Sequence, residues 1–319
     1  MRALLLLSTS LACTTSTPSA GTDGGVVSDA GPLPDAGAPD AGPTGAAGYC
    51  ERTVEMFCGF YLRCGRMAVD SLEECRAVFR ETCNGRYEPR YVMLEEASLL
   101  TLSPSGIMAC EAHLATVSCE QQIRDLDGPC QGLWVGTQPA GAPCGFDVES
   151  LVCAPGTACV LSLTLCGTCR TAAEPGQACG GEITCGADSS CEGGTCVRRA
   201  LPGETCANGE RCVVGATCTE GVCRGPSYVG VGESCNQTAR CAYKSVCTQG
   251  TCREAALVDE DCGNGTACAS GYCRSGVCAA LLPVGETCTG PDQCASASCV
   301  EGTCAPIPGV CFQADGGSP

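Results

Sequence analysis

The chemistry nearest to hand in this sequence is that of sulfur. Thirty-five of its 319 residues are cysteine, and Cys166-Gly167-Thr168-Cys169 has the C-x-x-C spacing used in thiol oxidoreductases and zinc sites. A redox site of that kind opens a helix beside a βαβ pattern, and no such pattern surrounds these residues. Zinc needs a second ligand pair, yet no such pair stands free of the repeat pattern and His113 is the one histidine. Beside an apolar stripe, a lone histidine reads as a packing or surface residue. No Gly-rich phosphate loop stands between a strand and a helix, and Ser, His and Asp show no triad spacing. The expectation is no catalytic residue, no cofactor and no metal site. The rival is a thiol-redox protein acting through Cys166 and Cys169.

The elements that must position the cysteines repeat. Cys206, Cys212, Cys218 and Cys223 form a four-cysteine unit that recurs at Cys179–Cys196, Cys235–Cys252, Cys262–Cys278 and Cys288–Cys304, and stretched at Cys144–Cys169. Gly167, Gly194, Gly221, Gly250, Gly276 and Gly302 each stand two residues before the last cysteine, followed by Thr or Val. Glycine accepts the positive φ of a tight turn, and a β-branched residue then starts the return strand. On this pattern Gly167-Thr168 is another copy of the turn. Gly141, Gly176, Gly203, Gly232 and Gly285 lie three residues before the first cysteine, with Asp259 as the exception.

Each repeat is expected to be a small β-hairpin with almost no apolar core. Interlocked closure favours first-to-third and second-to-fourth pairing. That gives Cys179–Cys191, Cys185–Cys196, Cys206–Cys218, Cys212–Cys223, Cys235–Cys247, Cys241–Cys252, Cys262–Cys273, Cys268–Cys278, Cys288–Cys299 and Cys294–Cys304. Each bridge restrains the unfolded chain by about 3 kcal/mol. Repeats that touch only their neighbours build an extended rod. Cys166 and Cys311 fall outside the pattern; they pair if the rod folds back, or take part in a ladder between neighbouring repeats.

Residues 49–134 have a different texture, with helical apolar spacing at Cys50, Val54, Phe57 and Tyr61. Ser71 with Glu74 predicts a capping box, followed by Leu72, Cys75, Phe79 and Cys83 on one face. Cys50 and Cys58 have the same separation as Cys75 and Cys83. Partner positions across an antiparallel helical hairpin have a constant sum, which predicts nested bridges Cys50–Cys83 and Cys58–Cys75. Pro89 and Pro104 suit first turns of further helices, and Ile107, Cys110, Leu114 and Val117 form the last stripe. The pairing of Cys64, Cys110, Cys119 and Cys130 stays open.

The chain has only 5 Phe, 1 Trp and 7 Tyr, so small segments need covalent staples to offset chain entropy. Disulfides persist in oxidising compartments. A net charge of −17 without a basic stripe excludes nucleic acid as a partner. The predicted fold class is therefore small disulfide-rich repeats of short β-hairpins, forming a rod at 135–311, preceded by a small disulfide-stapled α-helical domain at 49–134.

The first 13 residues, ending Leu11-Ala12-Cys13, resemble a bacterial lipoprotein signal cut before Cys13, although Ser10 holds the place where such signals usually carry Leu. Lipidation of Cys13 would leave 34 cysteines, the even number that a disulfide framework wants. Residues 14–48 repeat Asp-Ala-Gly at Asp29, Asp35 and Asp40 and lack a core. As a flexible tether they would span about 30–35 Å. Residues 312–319 return to polar tail composition.

The repeats, as in Pro202-Gly203-Glu204-Thr205-Cys206 through Gly221-Val222-Cys223, resemble the Dickkopf N-terminal cysteine-rich pattern. The whole layout is similar to bacterial surface lipoproteins carrying such repeats. That resemblance implies no enzymatic activity and no assigned biochemistry. Val258-Asp259-Glu260-Asp261 is similar to the acidic start of calcium-binding EGF-like modules, but the later Asn or Asp ligand is missing. Asn236 and Asn264 open glycosylation sequons, which matter only in a eukaryotic secretory route. The expectation is an exported, lipid-anchored structural, binding or adhesion protein of the cell envelope, at the outer membrane or cell surface. Its partners would be the membrane, through the anchor, and a surface protein or glycan. The alternative is a free extracellular ligand or inhibitor.

Overall fold

The computed structural model describes residues 45–120, 128–145, 147–162, 166–186, 188–207, 209–263, 265–306 and Cys311. Cys13, the expected signal, most of the expected tether, Asn264 and the tail 312–319 lie outside the described residues.

Helices α1 (Tyr49–Arg63) and α2 (Leu72–Thr82) form the hairpin, joined by Cys50–Cys83 and Cys58–Cys75 at Cα–Cα distances of 5.7 and 5.8 Å. Ser71 caps α2, its hydroxyl accepting the Glu74 N–H at 3.1 Å. The reciprocal half of the predicted capping box is not made, because the Glu74 carboxylate turns to Lys244. A π-helical turn, Cys83–Tyr87, carries the chain without a break into α3 (Glu88–Glu96). Pro89, in the first turn of α3, cannot donate the next helical hydrogen bond, and the wider turn absorbs that loss. Helix α4 (Pro104–Thr116) starts at Ser103, whose hydroxyl accepts the Gly106 N–H at 3.0 Å.

Two strands went unforeseen. Strand β1 (Leu100–Leu102) pairs antiparallel with β2 (Trp134–Gly136), placing Trp134 against Tyr91 and Tyr49 with ring centroids 4.2 and 5.0 Å away. The 3₁₀ segment Gly128–Leu133 then packs on α4, where a Cβ at Gly106 would sit 1.8 Å from the Gly132 carbonyl oxygen. This approach lets Cys110 bridge Cys130 at a Cα–Cα distance of 4.4 Å, while Cys64 closes with Cys119.

Both expected limits of the helical module shift. Ala46 is buried and its N–H donates to Glu95 at 2.6 Å, so the last residues of the expected tether belong to the folded body. At the other end Cys144, Val148, Val152 and Cys169 join the helical core, so the break expected after 134 runs through shared packing. Buried Arg90 pairs with Asp147 at 2.6 Å across it.

Repeat one is a sheet of β3 (Pro143–Gly145), β4 (Thr157–Leu161) and β5 (Cys166–Ala173), with β5 central. Gly167 does not form a turn, contrary to the repeat pattern. It lies within β5, opposite Cys144 and Leu161, and a Cβ there would be 2.4 Å from the Val160 carbonyl oxygen. The glycine is required by close strand approach instead.

Repeats two to six are antiparallel hairpins: Ser189–Glu192 with Thr195–Arg198, Thr217–Thr219 with Val222–Arg224, Ser245–Thr248 with Thr251–Glu254, Tyr272–Arg274 with Val277–Ala279, and Cys299–Val300 with Thr303–Cys304. Their tips have two successive positive-φ residues, such as Glu220 (52°) and Gly221 (78°), the requirement of a type I′ turn. Neighbouring repeats are joined by backbone pairing. The chain leaving one hairpin runs parallel to the second cysteine of the next, as in Ser227–Val229 with Ala239–Cys241, or Ala256 with Cys268.

Candidate functional site

The cystine framework is built by a turn that leads into each repeat. In Leu201-Pro202-Gly203-Glu204 the Glu204 N–H donates to the Leu201 carbonyl at 3.0 Å, and the Glu204 carboxylate accepts the Leu201 N–H at 2.7 Å. Gln177, Glu233 and Glu260 close the same reciprocal pair in their own repeats. The residue three before Glu286 is Pro283, which has no N–H to offer the carboxylate. Hydrogen bonding to Arg198 first, then to the Leu201 N–H, holds the Glu204 carboxyl below the usual carboxylate range.

Asp259 occupies the glycine position of this turn with φ of 71°, so the exception in residue type is no exception in conformation. From the turn, the first cysteine donates its N–H to the hairpin-tip glycine, as Cys206 does to Gly221 at 2.8 Å. The last cysteine is held by the residue after the turn glycine, as Cys223 is by Glu204 at 2.9 Å. Backbone bonds thus hold both ends of the unit alongside the bridges.

The structure joins the cysteines of every repeat first-to-third and second-to-fourth: Cys179–Cys191 and Cys185–Cys196, Cys206–Cys218 and Cys212–Cys223, Cys235–Cys247 and Cys241–Cys252. Cys262–Cys273 with Cys268–Cys278, and Cys288–Cys299 with Cys294–Cys304, follow suit. Repeat one has Cys144–Cys159 and Cys153–Cys169. Sulfurs within a repeat come within 4.8 Å of one another, close enough for three thiolates to share a metal. Each is held in a disulfide, so none offers a thiolate.

Cys166 and Cys169 do not bond to each other. Cys169 closes with Cys153, and Cys166 reaches across to Cys311 at a Cα–Cα distance of 5.2 Å. The array therefore folds back on itself. The acidic residues at 259–261 serve the turn: Glu260 accepts the Leu257 N–H and Asp261 accepts the Gly263 N–H at 2.7 Å. His113 lies half-buried in α4, its carbonyl accepting the Val117 N–H at 2.9 Å.

Sequence reasoning missed the seam between repeats three to five and the helical module. Tyr243 stacks on Tyr61 at 6.2 Å, its carbonyl accepts the Ala68 N–H at 2.9 Å, and its own N–H donates to Arg66 at 2.6 Å. The Arg66 guanidinium is sandwiched between Phe60 and Tyr228 at 4.7 and 4.8 Å. Burial there lowers its pKa from the ordinary arginine value. Lys244 is forked between Glu254 at 3.0 Å and Glu74 at 3.5 Å, and its bond to Glu254 raises its pKa. Glu81 accepts the Val258 N–H at 2.9 Å and the Ser270 hydroxyl. Glu120 pairs with Arg224 at 3.1 Å, next to Gly225, where a Cβ would lie 1.9 Å from the Glu120 carbonyl oxygen.

Residues 192–228 match the EB module. The matched stretch begins in the hairpin of repeat two, takes in all of repeat three, and ends at Tyr228 against Arg66. A second match, to a domain of unknown function (DUF7107), spans residues 234–280, which are repeats four and five complete. No curated protein and no solved structure matches the chain. The chain is thus a cysteine-rich protein with an EB-like, disulfide-bonded module of extracellular type. Disulfide density and that module together place it among secreted or surface structural proteins.

Proposed function

We propose that this protein is an exported scaffold of the cell surface, held at the envelope by a lipid on Cys13. It acts by binding or spacing, not by catalysis. One observation carries the reading: all described cysteines are consumed in seventeen bridges, and the thirty-fifth cysteine of the chain is Cys13. A protein whose thiols are all spent suits an oxidising exterior and offers no sulfur nucleophile. The six repeats are of Dickkopf N-terminal cysteine-rich type, and their hairpin tips are the surfaces offered to a protein or glycan ligand.

Metabolic labelling with an alkyne fatty acid, followed by detergent phase partition, tests the anchor. The intact chain should carry label and enter the detergent phase, while Cys13→Ser should lose label and appear in the aqueous phase. An unlabelled, water-soluble intact chain would instead favour the free ligand or inhibitor. Thiol alkylation of the native protein tests the absence of thiol catalysis: alkylation of Cys166 and Cys169 together, as a C-x-x-C dithiol, would overturn it.

A further inference from the structure

Sixteen of the seventeen bridges are local: four lie within the helical module and twelve within single repeats. Cys166–Cys311 is different. It spans 145 residues against 55 for the next longest, and joins repeat one to the chain beyond repeat six. Between these ends the array lies against the helices through Arg224–Glu120, Tyr228–Arg66, Tyr243–Tyr61, Lys244–Glu74 and Ser270–Glu81. The seam mixes an exposed ion pair, Arg224–Glu120, with buried Arg66 and Ser270 and with Tyr243 and Leu257 packed against Met67, Val54 and Val78. It is a small contact area rather than a second core. Covalent closure of the ring raises the effective concentration at which its two sides meet.

We propose that Cys166–Cys311 is a clasp, a redox-sensitive device that keeps the repeat array closed on the helical module and opens without unfolding any repeat. Both cysteines are half-buried, so a reagent can approach them. The third cysteines of the repeats, such as Cys191 and Cys218, are more exposed, but their partners stay close through a short loop and an interlocked second bridge. Cys166 and Cys311, by contrast, close a long loop alone. Opening by a dithiol is a two-electron exchange. One thiolate of the reagent attacks a sulfur of the bridge, forming a mixed disulfide and releasing the other cysteine as thiolate. The second thiol of the reagent then closes it into a cyclic disulfide and releases the remaining protein thiol. Every repeat retains its own two bridges, so only the long-range closure is lost. This device does not depend on lipidation of Cys13.

Hydrogen exchange on the full chain tests the clasp through the seam amides of Ala68 and Tyr243, with the Cys206, Cys235 and Cys262 amides as markers inside repeats. In the double variant Cys166→Ser/Cys311→Ser, exchange at Ala68 and Tyr243 should quicken by about tenfold or more, with the three markers unchanged. Unchanged seam amides would overturn the proposal, as would equal loss of protection at the markers. The wild-type protein, titrated with dithiothreitol and trapped by alkylation, guards against a folding defect in the variant. Molecules labelled at Cys166 and Cys311 alone should show the same loosened seam. Labelling of repeat cysteines before these two would also overturn the proposal.

Discussion

The helical module and the repeats solve the same problem of small size in different ways. The largest fully buried side chains include Tyr49, Phe57, Phe60, Leu94, Leu100, Leu114 and Leu133, all within the helical module. Val152 of repeat one shares that core. Farther along, the buried clusters are Ala200 with Cys206 and Cys223, Ala256 with Cys262 and Cys278, and Cys288 with Cys294 and Cys304. There the cystines are themselves the core. Disulfides in the helical module fasten elements that also have apolar faces to bury, whereas in the repeats little else opposes chain entropy. Valines that a larger domain would bury, such as Val197, Val214 and Val300, stay exposed on the repeats.

The contrast breaks hardest in the helical core. Phe57→Ala should destabilise the helical module by about 3–5 kcal/mol, read from its helical circular dichroism in denaturant. No single aliphatic truncation in repeats two to six should approach that. Removing a bridge there has the second largest effect: Cys212→Ser with Cys223→Ser should cost about 2–4 kcal/mol. Its signature is exchange confined to residues 206–223, with the helices still protected. A spread of the loss into α1 and α2 would mean that the repeats are not separately stapled.

A gain should follow at Asp259. Replacing it with glycine removes left-handed strain and should stabilise repeat five by about 0.5–1 kcal/mol, seen as slower exchange of the Cys262 amide. The smallest effect concerns pH. Because the folded Glu204 carboxyl titrates below its unfolded value, its contribution is complete above the unfolded pKa and is lost as pH falls through the folded one. Glu204→Gln should flatten the acid side of the stability profile of repeat three, measured by exchange at the Cys206 amide. Glu286→Gln should leave repeat six unaffected, since Pro283 gives its carboxylate no backbone donor.

Much of the local architecture was legible because it depends on spacing. A constant sum pairs Cys50 with Cys83 and Cys58 with Cys75, and the glycine two places before the last cysteine marks the hairpin tip. Gly167 shows the limit of such patterns. Glycine serves both turns and close strand contacts, so one residue type in register hid two geometries. The seam was illegible from spacing because Tyr243 and Lys244 sit in a loop of standard length. Their signal lay in residue type: Lys244, with φ of 72°, takes the place held by Gly215 in repeat three. Asp259 departs from glycine near the same seam, where Val258 meets Glu81. Left-handed φ by itself does not mark the seam, since Ala297 holds the same place as Lys244 in repeat six with φ of 53°. The informative change at Lys244 is the charge that meets Glu74. The Cys166–Cys311 pairing needed the return path of the whole array, which no local pattern encodes.

The disulfide framework consists of locally closed repeats with one long-range closure. Peptide mapping of the unreduced, alkylated protein by mass spectrometry tests it most directly. The expected result is no free thiol from Cys50 to Cys311, first-to-third and second-to-fourth pairs in all six repeats with Cys166 set aside in repeat one, and a Cys166–Cys311 peptide. Bridges between neighbouring repeats, or free thiols at Cys166 and Cys311, would contradict it.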